Sequence, residues 1–141
     1  MKKIYSLMLA CALAACVHVE NNGDEPISES RTKEVLDHHW VAFKANDLEE
    51  TMEDYTEESV LITPDATYSG LDEIRENFVS AFKAFPKDSS TLTLEKSVVN
   101  KDVGYIIWKA QAPTFNLSFG TDTFIIRDGK ILRQTYAGVS E

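Results

Sequence analysis

Residues 115–139, FNLSFGTDTFIIRDGKILRQTYAGV, are the stretch from which the fold of this chain can be worked out. Asp128-Gly129 is a strong two-residue turn signal between two runs of β-forming residues, so the stretch predicts a hairpin of two long strands. In the first run the apolar positions change phase, from odd numbers such as Phe119 to even numbers such as Phe124. We expect a β-bulge at or beside Gly120, because one extra residue moves the side chains that follow it to the other face.

Helices and shorter strands precede this hairpin. Apolar residues at helical spacing predict three amphipathic helices, at residues 31–44, 48 to about 57 and 71–85. Asp47, followed by Glu50 three residues later, resembles a capping arrangement that starts the second helix. Alternating or β-branched runs predict three more strands, at residues 60–62, 91–99 and 105–112. Helices first and an antiparallel meander afterwards predict one α+β domain over residues 31–141, not a doubly wound parallel sheet.

The N-terminus has the pattern of an exported lipoprotein. Lys2 and Lys3 precede an apolar run that ends in Leu13-Ala14-Ala15-Cys16, which resembles a bacterial lipoprotein signal cut before an acylated cysteine. A transmembrane helix is the rival interpretation, but it needs about 20 apolar residues and this run is shorter. We therefore expect a signal peptide at residues 1–15 and a lipidated flexible tether at 16–30.

The predicted signal peptide and Cys16 indicate where the protein is located. Cys16 would hold the domain to a lipid bilayer at the bacterial cell envelope. The residue after it, Val17, is not the acidic residue that retains some lipoproteins at the inner membrane, so we expect the outer membrane. Cleavage would remove Cys11, and acylation would occupy Cys16, so no free thiol would remain for a disulfide, a nucleophile or a metal.

Charge and motif content exclude several classes of protein. The formal net charge of −9 becomes −11 when Lys2 and Lys3 leave with the signal peptide, and an acidic surface repels nucleic acid. No nucleotide-binding, zincin or serine-hydrolase motif occurs in the sequence. We expect no cofactor, and no metal, because two adjacent histidines and one in the tether do not form a ligand set.

Three local patterns, in order, resemble the SnoaL-like and nuclear transport factor 2-like superfamily. They are WVAFKANDL at residues 40–48, the run from Tyr55 through VLITP to GLDEI at 70–74, and FIIRDGKI at 124–131. The resemblance implies a cone-shaped fold of three helices on a strongly curved antiparallel sheet, with a pocket at the wide end. Such pockets occur in isomerases, cyclases, dehydratases and hydrolases, and also in domains that only bind, so the fold does not decide the function.

The resemblance also indicates where catalytic groups would lie. In the isomerase branch an acid precedes the proline that ends the first strand, but here Thr63 takes that position, and its hydroxyl cannot be a base near neutral pH. A helix-borne tyrosine corresponds to His39, and a protonated acid corresponds to Asp122, or to Thr123 if the next hairpin has no deletion. We hypothesise that Asp122 fixes the His39 tautomer across the pocket, so that the ring acts as a general base. The alternative is a core-edge histidine bonded to backbone and a solvated aspartate.

Other residues are candidates for the pocket wall, although residues at this spacing are more often plain core. With Thr63 they are Trp40, Tyr55, Tyr68, Trp108 and Tyr136. We favour a domain that binds a small apolar or amphipathic molecule, or a partner protein, in the cone. The alternative is a cofactor-free SnoaL-like enzyme that uses His39 and Asp122. A homodimer through the outer face of the sheet is a further expectation.

Overall fold

The computed structural model describes residues 26–141, so the predicted signal peptide, Cys16 and most of the predicted tether lie outside the described residues. In this part of the chain, helices pack on one side of a six-stranded sheet. The helices are α1 (Glu29–Lys44), α2 (Leu48–Glu53) and α3 (Gly70–Ala84). The strands are β1 (Val60–Ile62), β2 (Thr67–Ser69), β3 (Thr91–Asn100), β4 (Val103–Gln111), β5 (Asn116–Arg127) and β6 (Lys130–Ser140).

The strands lie in the order β2-β1-β6-β5-β4-β3. Strands β3 to β6 form the predicted antiparallel meander, and the α+β class with helices on a curved sheet is confirmed. The sheet is mixed, however, because β1 runs parallel to β6, with Leu61 opposite Gln134. Strand β2 was not predicted, because Thr67–Ser69 lacks the run of apolar residues that marks β1.

The predicted bulge lies in β5, immediately before Gly120. Trp108 of β4 pairs with Gly120, whereas Ala110 pairs with Leu117, so β5 holds one residue more than β4 between these two pairs. Leu117 and Gly120 are buried and Phe119 between them is exposed, which is the change of phase that the apolar pattern indicated. The bulge therefore sets which side chains of β5 turn towards the helices.

Local signals set most element ends. Ser28 caps α1 through a hydrogen bond from the backbone N of Arg31 at 3.4 Å, so the helix begins at Glu29, earlier than predicted. Asp47 caps α2 as expected. That helix ends at Glu53 and not near residue 57, and the chain turns there. Asp128 and Gly129 both have positive φ, as a two-residue hairpin turn requires.

The core lies between the helices and the inner face of the sheet. Leu36 and Ile74 from the helices and Phe124 and Ile131 from the strands are almost completely buried. On β5 and β6, Phe119 and Val139 pair with one another and are exposed. The expected homodimer contact concerns the outer face of the sheet and stays a prediction. Within residues 26–141, no helix has both the length and the apolar character needed to cross a membrane.

Candidate functional site

A cavity of about 510 Å³ lies between the inner face of the sheet and the helices α1 and α3. Its volume is within the usual range for small-molecule sites, about 300–1,000 Å³. Most of its wall is apolar or aromatic, with polar side chains at separate points. The polar and ionisable wall residues that matter below are His39, Thr63, Asp65, Asp122, Gln134 and Tyr136.

Asp122 turns into this cavity because of the bulge in β5. After the bulge, the even-numbered residues Gly120, Asp122 and Phe124 are the buried ones, and Thr123 is not part of the cavity wall. Of the two positions that the sequence left open, Asp122 is therefore the one that faces the cavity. It is only 5% exposed, which excludes the alternative of a solvated strand residue.

The carboxylate of Asp122 is held by two neutral donors. Nε1 of Trp108 donates to Oδ2 at 2.8 Å, and Nε2 of Gln134 donates to Oδ1 at 2.8 Å. Burial raises the pKa of Asp122 above its ordinary value, and the two hydrogen bonds and the nearby His39 oppose that rise. The side chain is thus a buried acid whose direct partners carry no charge.

His39 is buried on α1, but its direct partner is not Asp122. Nδ1 of His39 lies 3.2 Å from Oδ2 of Asp54, and Nε2 lies 3.5 Å from the hydroxyl of Tyr55. Asp54, not Asp122, therefore holds the imidazole tautomer, and that part of the sequence hypothesis is wrong. The expectation of a backbone partner is wrong as well. Both errors have one cause, because the early end of α2 turns Asp54 and Tyr55 inward.

Asp54 also holds the neighbouring histidine. Nδ1 of His38 lies 2.8 Å from its Oδ1, while Nε2 of His38 lies 3.1 Å from Glu50. His38 is partly exposed and is not part of the cavity wall, as the 100° step between helical neighbours predicts. The hydrogen bond to Asp54 raises the pKa of His38. Asp54 itself is only 5% exposed, so it is a buried anchor for both rings.

Tyr55 and Gln134 connect His39 to Asp122. The Tyr55 hydroxyl donates to Oε1 of Gln134, whose Nε2 donates to Asp122. Burial raises the pKa of Tyr55 well above its ordinary value, so this hydroxyl keeps its proton. We call the set Asp54, His39, Tyr55, Gln134, Asp122 and Trp108 the buried polar chain. It brings both predicted catalytic residues into one network without direct contact between them.

Sequence reasoning missed Asp54 and Gln134. Asp54 lies in an acidic segment that is typical of a solvent-exposed surface. Its position beside Tyr55 was the one sequence feature that indicated burial. Gln134 had a clearer signal, because alternation along β6 places it on the same face as Tyr136. Both were overlooked because a polar residue in a sequence is normally assigned to the surface.

The proposed wall residues have different positions. The structure places Trp40, Thr63, Tyr68, Trp108 and Tyr136 on the cavity wall. Tyr55 is not part of that wall and acts from behind it through Gln134. The Thr63 hydroxyl accepts a hydrogen bond from the backbone N of Ala66 at 3.1 Å, which ties it to the turn between β1 and β2.

One group of potential metal ligands occurs among residues 26–141. Atoms of His38, Glu50 and Glu53 lie within 4.8 Å of one another at the surface. The hydrogen bond between His38 and Glu50 already accounts for part of this proximity. Exposed acidic groups commonly meet without a metal, so we assign no metal site here.

A family model of the SnoaL-like domain matches residues 36–134, well over half of the chain. The chain belongs to the SnoaL-like domain family. This confirms the family that the three sequence patterns suggested. No curated protein is similar enough to the chain to count as a match.

Several solved structures resemble this SnoaL-like domain in fold. A candidate ketosteroid isomerase from Kribbella flavida has 14% identity and a TM-score of 0.68, over 80% of this chain and 81% of its own. A candidate polyketide cyclase from Sinorhizobium meliloti has 23% identity and a TM-score of 0.64, over 74% and 94%. An NTF2-like protein of unknown function from Mesorhizobium loti has 21% identity and a TM-score of 0.67, over 79% and 93%. At these identities the likeness concerns the fold alone.

Proposed function

We propose that this SnoaL-like domain binds a small apolar or amphipathic molecule in its cavity. The observation that carries the proposal is the composition of the cavity wall. A space of about 510 Å³ is lined mainly by apolar and aromatic side chains, with a few polar groups at separate points of the wall. Such walls bury the body of an organic ligand and orient it through a small number of hydrogen bonds.

The test is a search for bound ligand in the full-length protein purified from its host. Native mass spectrometry should detect a bound organic mass in the wild type, and Ala81→Trp should abolish it by filling the cavity from α3. Glu76→Trp adds the same bulk on the exposed side of that helix and should keep the ligand. Equal ligand occupancy in both variants would contradict the proposal, as would a wild type that carries no ligand and takes up none from an envelope lipid extract.

A second candidate is a cofactor-free acid/base enzyme, and the buried polar chain is the observation that favours it. In the observed orientation of the Gln134 amide, Tyr55 donates to Gln134, and Gln134 donates to an ionised Asp122. The Tyr55 oxygen can then accept a hydrogen bond from a protonated Nε2 of His39. With the amide turned over, a protonated Asp122 donates to Gln134, and Tyr55 donates to the bare Nε2. The two arrangements differ by one proton between His39 and Asp122, which supplies a base and an acid to one cavity.

Variants of His39 and Asp122, the residues that would exchange the proton, distinguish catalysis from binding. If the domain is an enzyme, His39→Ala and Asp122→Asn should each abolish turnover while the cavity still takes up ligand. The panel of substrates comprises ketones, epoxides and lactones, because acid/base chemistry without a cofactor can act on each of them. Absence of turnover in the wild type across the panel favours the binding function.

We also propose that the domain is anchored to the cell envelope by an acyl group on Cys16. The support is the order of charge, apolar run, small residues and cysteine at residues 1–16. Cys16→Ser should move the full-length protein from the membrane fraction to the soluble fraction, and Cys11→Ser should leave it with the membranes. Cys16→Ser protein that stays in the membrane fraction would refute the anchor. Density separation of the two membranes tests the expected outer-membrane location.

A further inference from the structure

The ionisable side chains around the cavity have an unbalanced charge. Among the residues that the structure describes, no lysine or arginine lines the cavity, whereas Asp65 and Asp122 both do. The remaining ionisable group with basic character is His39, and its imidazole is paired with Asp54 at 3.2 Å, so a charge on the ring is offset outside the cavity. The space is therefore an acidic one within an acidic protein.

Asp122 lacks a cationic hydrogen-bond partner. Its two hydrogen bonds come from the neutral groups of Trp108 and Gln134. Buried carboxylates in proteins are normally paired with a cation, because neutral donors recover only part of the hydration that an ion loses. Burial raises the pKa of Asp122 for the same reason, because the ionised carboxylate loses hydration when it is buried.

Aromatic rings lie near this carboxylate. Trp108 donates to Asp122, and its ring centroid lies 6.0 Å from that of Tyr136 and 6.0 Å from that of Trp40. Burial raises the pKa of Tyr136, and the charge of Asp122 adds to that rise. The faces of tryptophan and tyrosine attract cations through their ring quadrupole, most strongly where water is excluded.

We propose that the ligand of this cavity is an organic cation, with a tertiary or quaternary ammonium group against Asp122 and the aromatic rings and an apolar body along the remaining wall. This inference rests on the proposed function, since it names the class of molecule that the cavity binds. A substituted ammonium fits better than a primary amine, because each oxygen of Asp122 already accepts a hydrogen bond and an aromatic wall offers few further acceptors. Asp65, exposed at the turn between β1 and β2, adds attraction at the cavity wall.

Three probes of matched shape test the charge. They are 2-naphthylmethyl-trimethylammonium, its neutral neopentyl isostere and 2-naphthylacetate, each titrated into the full-length protein by calorimetry. We expect the ammonium probe to bind at least about tenfold tighter than the neutral isostere, with the carboxylate weakest of the three. Asp122→Asn should remove this preference and keep binding of the neutral isostere, while Asp88→Asn, at an exposed position, should keep the preference.

The pH dependence is a second measurement that needs no variant. Asp122 attracts a cation only while its carboxylate is ionised, so the affinity of the ammonium probe should fall as the pH is lowered. Since burial raises the pKa of Asp122, the fall should begin above the ordinary aspartate range of about 4. The neutral isostere should show no such fall.

The results distinguish a wrong ligand class from a wrong proposed function. Equal affinity for the ammonium and neutral probes, or tightest binding of the carboxylate, would overturn the cationic ligand and leave small-molecule binding in place. Failure of all three probes to bind would count against the proposed function itself. If Asp122→Asn does not fold, the pH profile of the wild type decides between these outcomes.

Discussion

Replacing Phe124 by alanine is expected to lower the free energy of unfolding by about 4 kcal/mol, the usual cost of removing a buried phenylalanine. Phe124 is 1% exposed, and its ring makes a T-shaped contact with the His39 ring at a centroid distance of 5.4 Å. The cost combines the lost burial of the ring with the cavity that remains between α1 and the sheet. Urea unfolding followed by circular dichroism measures the change.

Phe119→Ala is the matched control, because it removes the same side chain from the same strand. Phe119 lies within the bulge, between Leu117 and Gly120, and is 40% exposed. Its replacement should cost less than about 1 kcal/mol, as is usual for an exposed position. Similar costs at the two positions would mean that the change of phase in β5 is absent from the protein in solution.

Gln134→Leu is expected to cost about 3 kcal/mol, because it leaves a buried charged acceptor and a buried hydroxyl without their shared partner. Gln134 is 5% exposed and accepts from Tyr55 while it donates to Asp122. Leucine has a similar volume, so packing alone predicts a small effect. Chemical unfolding at neutral pH measures the change.

Two further variants identify the cause of that loss. Gln111→Leu replaces an exposed glutamine of β4 and should be nearly neutral. In a double variant with Asp122→Asn, at least about 1 kcal/mol of the loss at position 134 should be recovered, since no carboxylate is then left with Trp108 as its remaining donor. Strictly additive costs would show that the amide does not support Asp122.

Several features of the fold follow from local sequence. The turn at Asp128-Gly129, the bulge beside Gly120, the cap at Asp47 and the inward stripe of each helix are properties of neighbouring residues, and all were predicted. The family was recognisable for the same reason, because its patterns are short runs in a set order. The lipoprotein signal is also a local pattern, but it lies outside the described residues and stays a prediction.

The partners within the candidate site could not be predicted in this way. Asp54 and His39 are fifteen residues apart, and Tyr55 and Gln134 are seventy-nine apart. Their contacts depend on where α2 ends and on the parallel pairing of β1 with β6, neither of which has a clear local signal. Sequence similarity indicated His39 and Asp122 as positions, yet it could not show that two other residues stand between them.

The sequence by itself therefore determined the family, the order of the elements other than β2 and the change of phase in β5, because these follow from periodicity, capping and turn chemistry over a few residues. Only the tertiary structure decided which buried polar groups are partners and that Asp122 meets no cationic side chain. Burial of a polar residue is a property of the assembled domain, since it requires hydrogen-bond partners brought from distant parts of the chain.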